Sequence, residues 1–321
     1  MKVLITGGAG FIGATVSRNL RDRGVNVRVL DVTAGDLEGV QYYVGSVLDK
    51  YAVNEAVRGC DAVIHLAAML GVRKTESLRL HCLNINIEGS VNVFDACVMN
   101  NVGKVLLSSS SEVYGESNTD KIDETWPLSP KSVYAVSKLA AEQYLLGYAL
   151  RYGFQHTIVR FFNVYGSGQI AEFVVPRFVS MALNNQPLTV YGEGSQIRSF
   201  CHVDDAANGV ERALFSDKSA GEVFNIGNDR EPITIMELAT LVAEISDRKV
   251  PINKIPMSGA DRNSSREIYM RRPNVAKAAS ILGFEPTVPL KDGIKRMFEN
   301  GNIKTSWFEP LQAPKVQPEL S

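Results

Sequence analysis

The stretch Thr6-Gly7-Gly8-Ala9-Gly10-Phe11-Ile12-Gly13 constrains the fold more than any other part of the chain. It follows a short apolar run at residues 3–6. It opens a segment at residues 11–23 in which Ile12, Val16 and Leu20 recur on one helical face. A strand that turns through glycines into a helix is suited to a dinucleotide. Gly7 permits the tight turn, Gly10 lets the backbone approach a pyrophosphate, and Gly13 lets the helix pack closely on the sheet. The helix start offers free N–H groups and a partial positive charge to phosphate. Gly24 ends the helix, and Val25, Val27 and Val29 alternate towards a second strand that closes at Asp31, 18 residues after Gly13. A carboxylate there can hydrogen-bond an adenosine ribose 2′-hydroxyl and would repel a 2′-phosphate, so NAD is the expected cofactor rather than NADP. Arg28, just before it, lies along the alternating strand and is not read as a phosphate contact.

Further strands are expected at residues 41–44, 62–66, 104–108 and 157–161, and helices at 51–58, 83–99 and 133–152. Strands alternating with helices imply an α/β fold, here a Rossmann-type doubly wound parallel sheet covered on both faces. Residues 1–165 form the expected NAD-binding domain. Beyond Gly166 the segments shorten and prolines become frequent (Pro176, Pro187, Pro232, Pro251, Pro256, Pro273). Residues 166–308 therefore read as a smaller mixed α/β substrate-binding region, part of it returning to the sheet. Residues 309–321 carry three prolines and no periodicity, and read as a flexible tail.

Apolar residues make up 45% of the 321 and charged residues 21%, enough for a core without disulfides or a structural metal. With 34 Lys and Arg against 35 Asp and Glu, the net charge of -1 argues against a general nucleic-acid binder. The four cysteines form no CxxC pair and the four histidines no HxxxH, so no metal site is expected. Cys60, Cys82, Cys97 and Cys201 read as small buried residues of a reducing compartment. No signal-peptide pattern and no apolar run of membrane-spanning length are seen, so a cytoplasmic protein is expected.

Tyr134 and Lys138 lie four apart on the expected helix 133–152 and so share a face. A nearby ammonium stabilises a phenolate, which predicts a lowered tyrosine pKa and makes Tyr134 a candidate general base. Ser108, Ser109, Ser110 and Ser111 close the fifth strand at the carboxyl edge, where open α/β sheets bind ligands. A hydroxyl there can share a reacting oxygen with Tyr134. Glu112 follows at once, either as a solvated carboxylate or as a second acid or base near the substrate.

Further segments occur in order: HLAA at residues 65–68, NIEGSVNV at 86–93, SSSEVYG at 109–115, YAVSK at 134–138 and RFFNVYG at 160–166. LTVYGEG (188–194), Ser195 to Arg198, His202 to Asp205, FNIG (224–227) and Arg271-Arg272-Pro273 follow. Together they resemble the extended short-chain dehydrogenase/reductase family, in its branch of NAD-dependent nucleotide-sugar epimerases, dehydratases and decarboxylases. The resemblance spans about residues 1–298. It implies Ser110 as the hydroxyl residue of catalysis, Tyr134 as base and Lys138 as its activator. It implies that Gly7, Gly10, Phe11, Ile12, Gly13, Asp31, Val47, Leu66, Ala67, Ala68, Asn86, Ser108 and Phe161 surround the NAD. Ser110, Ser111, Asn163, Val174, Arg198 and Arg271 would meet a nucleotide sugar, with the guanidinium forks suited to its diphosphate. It also implies a homodimer built on the helices at 83–99 and 133–152. One departure is Gly45-Ser46-Val47, where such proteins usually carry an Asp that contacts the adenine.

The branch shares a first step, in which the sugar 4-hydroxyl is deprotonated and a hydride leaves C4. Return of the hydride to the other face gives a 4-epimer. Loss of water across C5 and C6 gives a dehydration, and a C6 carboxylate can leave as CO₂. The dehydratases usually read Thr-Asp-Glu where this chain has Ser110-Ser111-Glu112, and a serine is far too weak an acid to replace the Asp. The decarboxylases usually read Thr-Ser-Glu. The loop Met69-Leu70-Gly71-Val72-Arg73 is more like that of epimerases. The resemblance thus implies a 4-epimerase acting on a UDP-hexose or UDP-hexuronate, with decarboxylation or 4,6-dehydration through Glu112 as the alternative. Retention of both Tyr134 and Lys138 argues against a non-catalytic NAD-binding protein.

Overall fold

Val3, Leu4 and Ile5 are wholly buried at the centre of the molecule, as expected of a strand covered on both faces. They belong to β1 (Lys2–Thr6), and the chain then alternates through α1 (Phe11–Asp22), β2 (Asn26–Asp31), β3 (Gln41–Val44), α2 (Lys50–Val57) and β4 (Ala62–His65). Short helices α3 (Val72–Ser77) and α4 (Arg79–Leu83) lead through a π-helical turn, Asn84–Glu88, into α5 (Gly89–Met99). β5 (Lys104–Ser110), a 3-10 turn at Ser111–Tyr114, α6 (Val133–Tyr152) and β6 (Gln155–Phe161) complete the first half. This computed structural model describes residues 1–117, 119–256, 268–301 and 303, and the expected tail lies outside them.

The second half runs β7 (Val164–Tyr165), α7 (Val174–Leu183), β8 (Leu188–Tyr191), β9 (Ile197–Ser199), β10 (Cys201–His202), α8 (Val203–Phe215) and β11 (Glu222–Ile226). After these come β12 (Pro232–Thr234), α9 (Ile235–Ile245), β13 (Ile252–Ile255), β14 (Met270–Arg271), α10 (Ala276–Leu282) and α11 (Leu290–Asn300). The seven-stranded sheet has the order β11-β6-β5-β4-β1-β2-β3, and every neighbouring pair in it is parallel. The order reverses beside β1, where β1 lies between β2 and β4. Such a switch point opens a crevice at the carboxyl ends of the strands.

Each face of the sheet has its own core. Val16 and Leu20 of α1 meet Ala206, Ala207 and Val210 of α8 over one face. Val53 of α2, Phe94 of α5 and Leu145 of α6 cover the other. A third core joins α7, α9 and α11 around Phe178, Leu238 and Ile294. It packs beside the small sheet β12-β9-β14 that carries Arg198 and Arg271. All four cysteines are buried and free. Among the described residues no helix is long and apolar enough to cross a membrane.

Residues 83–99, read from sequence as one helix, are helical throughout, running from the end of α4 through the π turn into α5. Asn86 lies in that turn, with its side chain drawn to Met69. Its Oδ1 accepts from the Met69 N–H at 2.7 Å, and its Nδ2 donates to the Met69 carbonyl at 3.0 Å. A single widened turn is a recurrent way to aim one side chain out of a helix.

The helix α6 needs most explanation, because it buries charge. Ser132 caps its first turn by accepting from the Ala135 N–H at 3.0 Å, and Gly153 ends it in the left-handed region at φ 79°. Tyr134, Lys138 and Glu142 stand one turn apart along it. Glu142 is 1% exposed and is held by Arg160 of β6 through two contacts, Nε to Oε1 at 3.0 Å and Nη2 to Oε2 at 2.7 Å. Removing one member of such a buried pair costs roughly 3–5 kcal/mol, because the other charge is stranded. Arg160 also donates to the Tyr114 hydroxyl at 2.9 Å, and Tyr114 donates to Asn225 at 2.7 Å. This chain of polar contacts locks α6 to β6, to the turn after β5 and to β11.

Candidate active site

At the glycine turn, backbone approaches backbone more closely than any side chain would allow. A β-carbon on Gly13 would lie 2.1 Å from the Gly7 carbonyl oxygen, and one on Gly7, at φ 71°, would lie 2.7 Å from the Ala67 nitrogen. The turn therefore presses α1 against β1 and places Leu66, Ala67 and Ala68 beside it. No side chain caps the start of α1, and no acidic residue stands in its first turn. The N–H groups there are left to an anion. Asp31 sits at the end of β2, accepting from the Ala9 N–H at 3.0 Å and from the Thr33 N–H at 3.2 Å. An uncapped helix start, a cradle without β-carbons and a carboxylate at the next strand end fit a dinucleotide. Arg28 is 7% exposed and donates to the Ala56 and Arg58 carbonyls at the end of α2, away from that cradle.

His65 fastens the loop after β4. Ser90 donates to the Asn86 carbonyl at 2.6 Å, so it accepts from His65 Nε2 at 3.0 Å. The other ring nitrogen then accepts from Thr6, 2.6 Å away, and the Thr6 oxygen receives the Ala67 N–H at 3.3 Å. Burial pushes the His65 pKa down to about 3, which keeps the ring neutral and this pattern fixed. Val47 is 6% exposed and its carbonyl accepts from Asn92 at 3.0 Å. Ser46 accepts from the Leu48 N–H at 3.1 Å, holding the turn where an Asp is usual.

At the ends of β5 and β6 the structure brings together Ser108, Ser110, Tyr134 and Lys138, with Phe161 beside Ser110 in the strand register. Lys138 is 3% exposed and donates to Ser108 Oγ at 3.3 Å. Burial lowers its pKa from 10.5 to about 8, against Glu142, which raises it. Ser137, which the sequence did not single out, receives Asn86 Nδ2 at 2.9 Å and ties this helix to the loop after β4. The expected lowering of the Tyr134 pKa by Lys138 is not found. Burial raises it, the Glu112 carboxylate raises it further, and the Ser110 hydroxyl opposes them without prevailing. The ammonium is directed to Ser108 instead, so the spacing on the helix was right and the electrostatic inference from it was wrong.

Glu112 is neither a freely solvated carboxylate nor an isolated acid. Its Oε2 accepts from Ser132 at 3.0 Å and its Oε1 lies 3.7 Å from Arg271 Nη1. Ser132 was missed in the sequence, although a serine directly ahead of an apolar helix start is a capping signal. Ser111, in the position of the dehydratases' acid, is 2% exposed.

Arg198 and Arg271 face each other in the parallel pairing of β9 and β14, at 7% and 8% exposure. A guanidinium fork suits a phosphate at two oxygens. Arg198 donates to the Ile197 carbonyl at 2.9 Å. Asn163, at φ 39°, donates to the Ser199 carbonyl at 3.0 Å and so braces the same strand. Val174 is half-buried at the start of α7.

Residues 3–227 match the model of the NAD dependent epimerase/dehydratase family. The chain is 34% identical to a UDP-N-acetyl-alpha-D-glucosaminuronate decarboxylase of Bacillus cytotoxicus, over 97% of this chain and 98% of that protein. It is 32% identical to a putative UDP-glucose 4-epimerase of Methanocaldococcus jannaschii, over 92% of this chain and 96% of that protein. The crystal structure of Thermus thermophilus UDP-glucose 4-epimerase in complex with NAD superposes with a TM-score of 0.85 at 31% identity, covering 93% of this chain and 98% of that one.

The buried ammonium yields a prediction. The folded pKa of Lys138, about 8, lies below the ordinary 10.5, so the unfolded chain binds more protons between those values. Stability should therefore rise with pH through that window, and below it the fold carries a penalty of about 3 kcal/mol. Lys138→Met should resist urea better than the wild type at pH 6.5, by about 1–3 kcal/mol, with the advantage shrinking as pH rises from 8 to 10.5. A less stable variant at pH 6.5 would show that the ammonium stabilises the fold.

Proposed function

The chain belongs to the NAD dependent epimerase/dehydratase family, and from that premise we propose that it is an NAD-dependent nucleotide-sugar 4-epimerase. Its substrate is a UDP-hexose or UDP-hexuronate, and the reaction passes through a transient 4-keto sugar. The observation that carries this reading is the convergence of the Ser110 hydroxyl, the Tyr134 phenol and the Lys138 ammonium beside the glycine cradle.

Gly7, Gly10, Phe11, Ile12 and Gly13 hold the dinucleotide pyrophosphate on the start of α1, and Asp31 takes the adenosine ribose. NAD, when bound, would supply the hydride acceptor and later the donor, and its oxidised form would add positive charge to a site where burial and Glu112 disfavour the Tyr134 phenolate. Tyr134 accepts the proton of the sugar 4-hydroxyl and returns it at the end. Ser110 hydrogen-bonds the same oxygen. Lys138, held at Ser108, keeps a positive charge under the site. Arg198 and Arg271 grip the diphosphate, and Asn163 and Val174 line its path. No residue at the Ser111 position can protonate a leaving hydroxyl, which disfavours dehydration.

A second reading has an observation of its own. Glu112 raises the Tyr134 pKa and so stands close to the phenol, and the Bacillus cytotoxicus relative is a decarboxylase. In that reading Glu112 would help a hexuronate lose CO₂.

Incubation with UDP-glucose, UDP-N-acetylglucosamine and UDP-glucuronate side by side separates the two. Epimerisation predicts the 4-epimer of at least one sugar and no CO₂. Release of CO₂ from UDP-glucuronate that disappears in Glu112→Gln would establish the second reading instead. Tyr134→Phe should cut turnover by about 10²–10⁴-fold while leaving nucleotide-sugar affinity nearly unchanged. Turnover within tenfold of the wild type would refute the base assignment.

The protein is further proposed to be a homodimer through α5 and α6. Met99, Val136, Tyr144, Leu146, Leu150 and Tyr152 are exposed apolar or aromatic side chains on these two helices, and Leu150 is 90% exposed. Exposed apolar side chains in this number on two neighbouring helices suit an isologous contact. Light scattering at micromolar protein should give twice the chain mass of 35.2 kDa, and a single-chain mass would exclude the dimer.

A further inference from the structure

Glu112, Ser132 and Arg271 form a bridge that the hydride chemistry does not need. Ser132 caps α6, the helix of Tyr134 and Lys138, and its hydroxyl donates to Glu112 Oε2 at 3.0 Å. The other carboxylate oxygen faces Arg271 Nη1 at 3.7 Å. Arg271 lies on β14, paired in register with Arg198 of β9. One carboxylate thus spans from the cap of the Tyr134 helix to the Arg271 guanidinium.

The two contacts differ in strength. The serine contact has normal hydrogen-bond length, and Ser132 is itself fixed by the Ala135 N–H. The arginine contact is long, and the side chains are 10% and 30% exposed. At that separation no hydrogen bond is made, and the contact is readily exchanged. A diphosphate carries more charge than one carboxylate and accepts a guanidinium fork at two oxygens. When it arrives, Glu112 stays with Ser132 and Arg271 can change partner.

We propose that Glu112 is a resting partner of Arg271, displaced from it by the diphosphate of the substrate, so that nucleotide binding and release of the carboxylate beside Tyr134 are one linked event. This rests on the reading of Arg198 and Arg271 as the diphosphate clamp. Glu112 acts here as a positioning residue. It weakens nucleotide affinity by competing with the diphosphate for Arg271. Linkage makes the effect reciprocal, because whatever the carboxylate takes from nucleotide binding the nucleotide takes from the Glu112–Arg271 contact.

The test is calorimetric titration of UDP, with dTDP in parallel, into the NAD-loaded protein and the variants Glu112→Gln, Arg271→Gln and the double variant. Glu112→Gln keeps an oxygen for Ser132 and removes the charge. It should bind the nucleotide about three- to tenfold more tightly than the wild type. In the Arg271→Gln background the same change should have no effect, since the contested group is gone. Should Glu112→Gln fail to fold, Glu112→Asp, too short to span both partners, should tighten binding in the same direction. Unchanged or weaker binding in Glu112→Gln would overturn the proposal. So would an equal gain in both backgrounds, which would mean diffuse repulsion of the nucleotide without exchange at Arg271. An Arg271→Gln variant with wild-type affinity would instead bring down the clamp reading itself.

Discussion

The structure depends on a contact that only glycine permits. At the turn after β1 the chain passes so near itself that a β-carbon on Gly13 would overlap the Gly7 carbonyl. That closeness brings the start of α1 down onto the carboxyl end of the central strand. It also lets the loop after β4 lie directly against the turn, where His65, Thr6 and Ser90 hold it through a fixed tautomer. The remaining groups are placed relative to this floor. β5 and β6 extend past it to present the serines, and α6 lays Tyr134 and Lys138 across their ends.

Placing an ammonium there has a structural consequence. Lys138 is almost fully buried, and burial alone would drive it towards neutrality. Glu142, one turn further along α6, offsets part of that cost, and Glu142 is itself neutralised by Arg160. Arg160 reaches Tyr114, and Tyr114 reaches Asn225 on the strand that returns from the second half of the chain. An ammonium at the proposed site is thus supported through a buried network that runs across the sheet. Folding and chemistry pull in opposite directions at this position, as is common where a site needs a charge that the core does not favour.

The sheet strands of the first half were legible to within two residues, because their apolar runs are punctuated by glycines and by helices of clear period. The glycine turn, Asp31 and the helix of Tyr134 and Lys138 were legible for the same reason, since each is a local pattern. What could not be read depends on residues far apart in sequence. The pairing of Arg198 with Arg271 joins two short strands that lie far apart in the chain. The partners of Glu112 come from residues 132 and 271. The expected lowering of the Tyr134 pKa failed because a helical spacing places two groups on one face without saying where the ammonium is directed or how dry the phenol is. The helix expected at 83–99 is helical throughout, but its widened turn was not legible, because Asn86 grips a loop 17 residues earlier.

The central claim is that the C4 hydrogen of a bound sugar is moved as hydride and returned within one closed site. A nucleotide hexose deuterated at C4, turned over in ordinary water, tests it most directly. The account predicts that the product has inverted configuration at C4 and keeps its deuterium there, with none lost to water. Washout of the label into solvent, or inversion with the C4 hydrogen drawn from water, would contradict it.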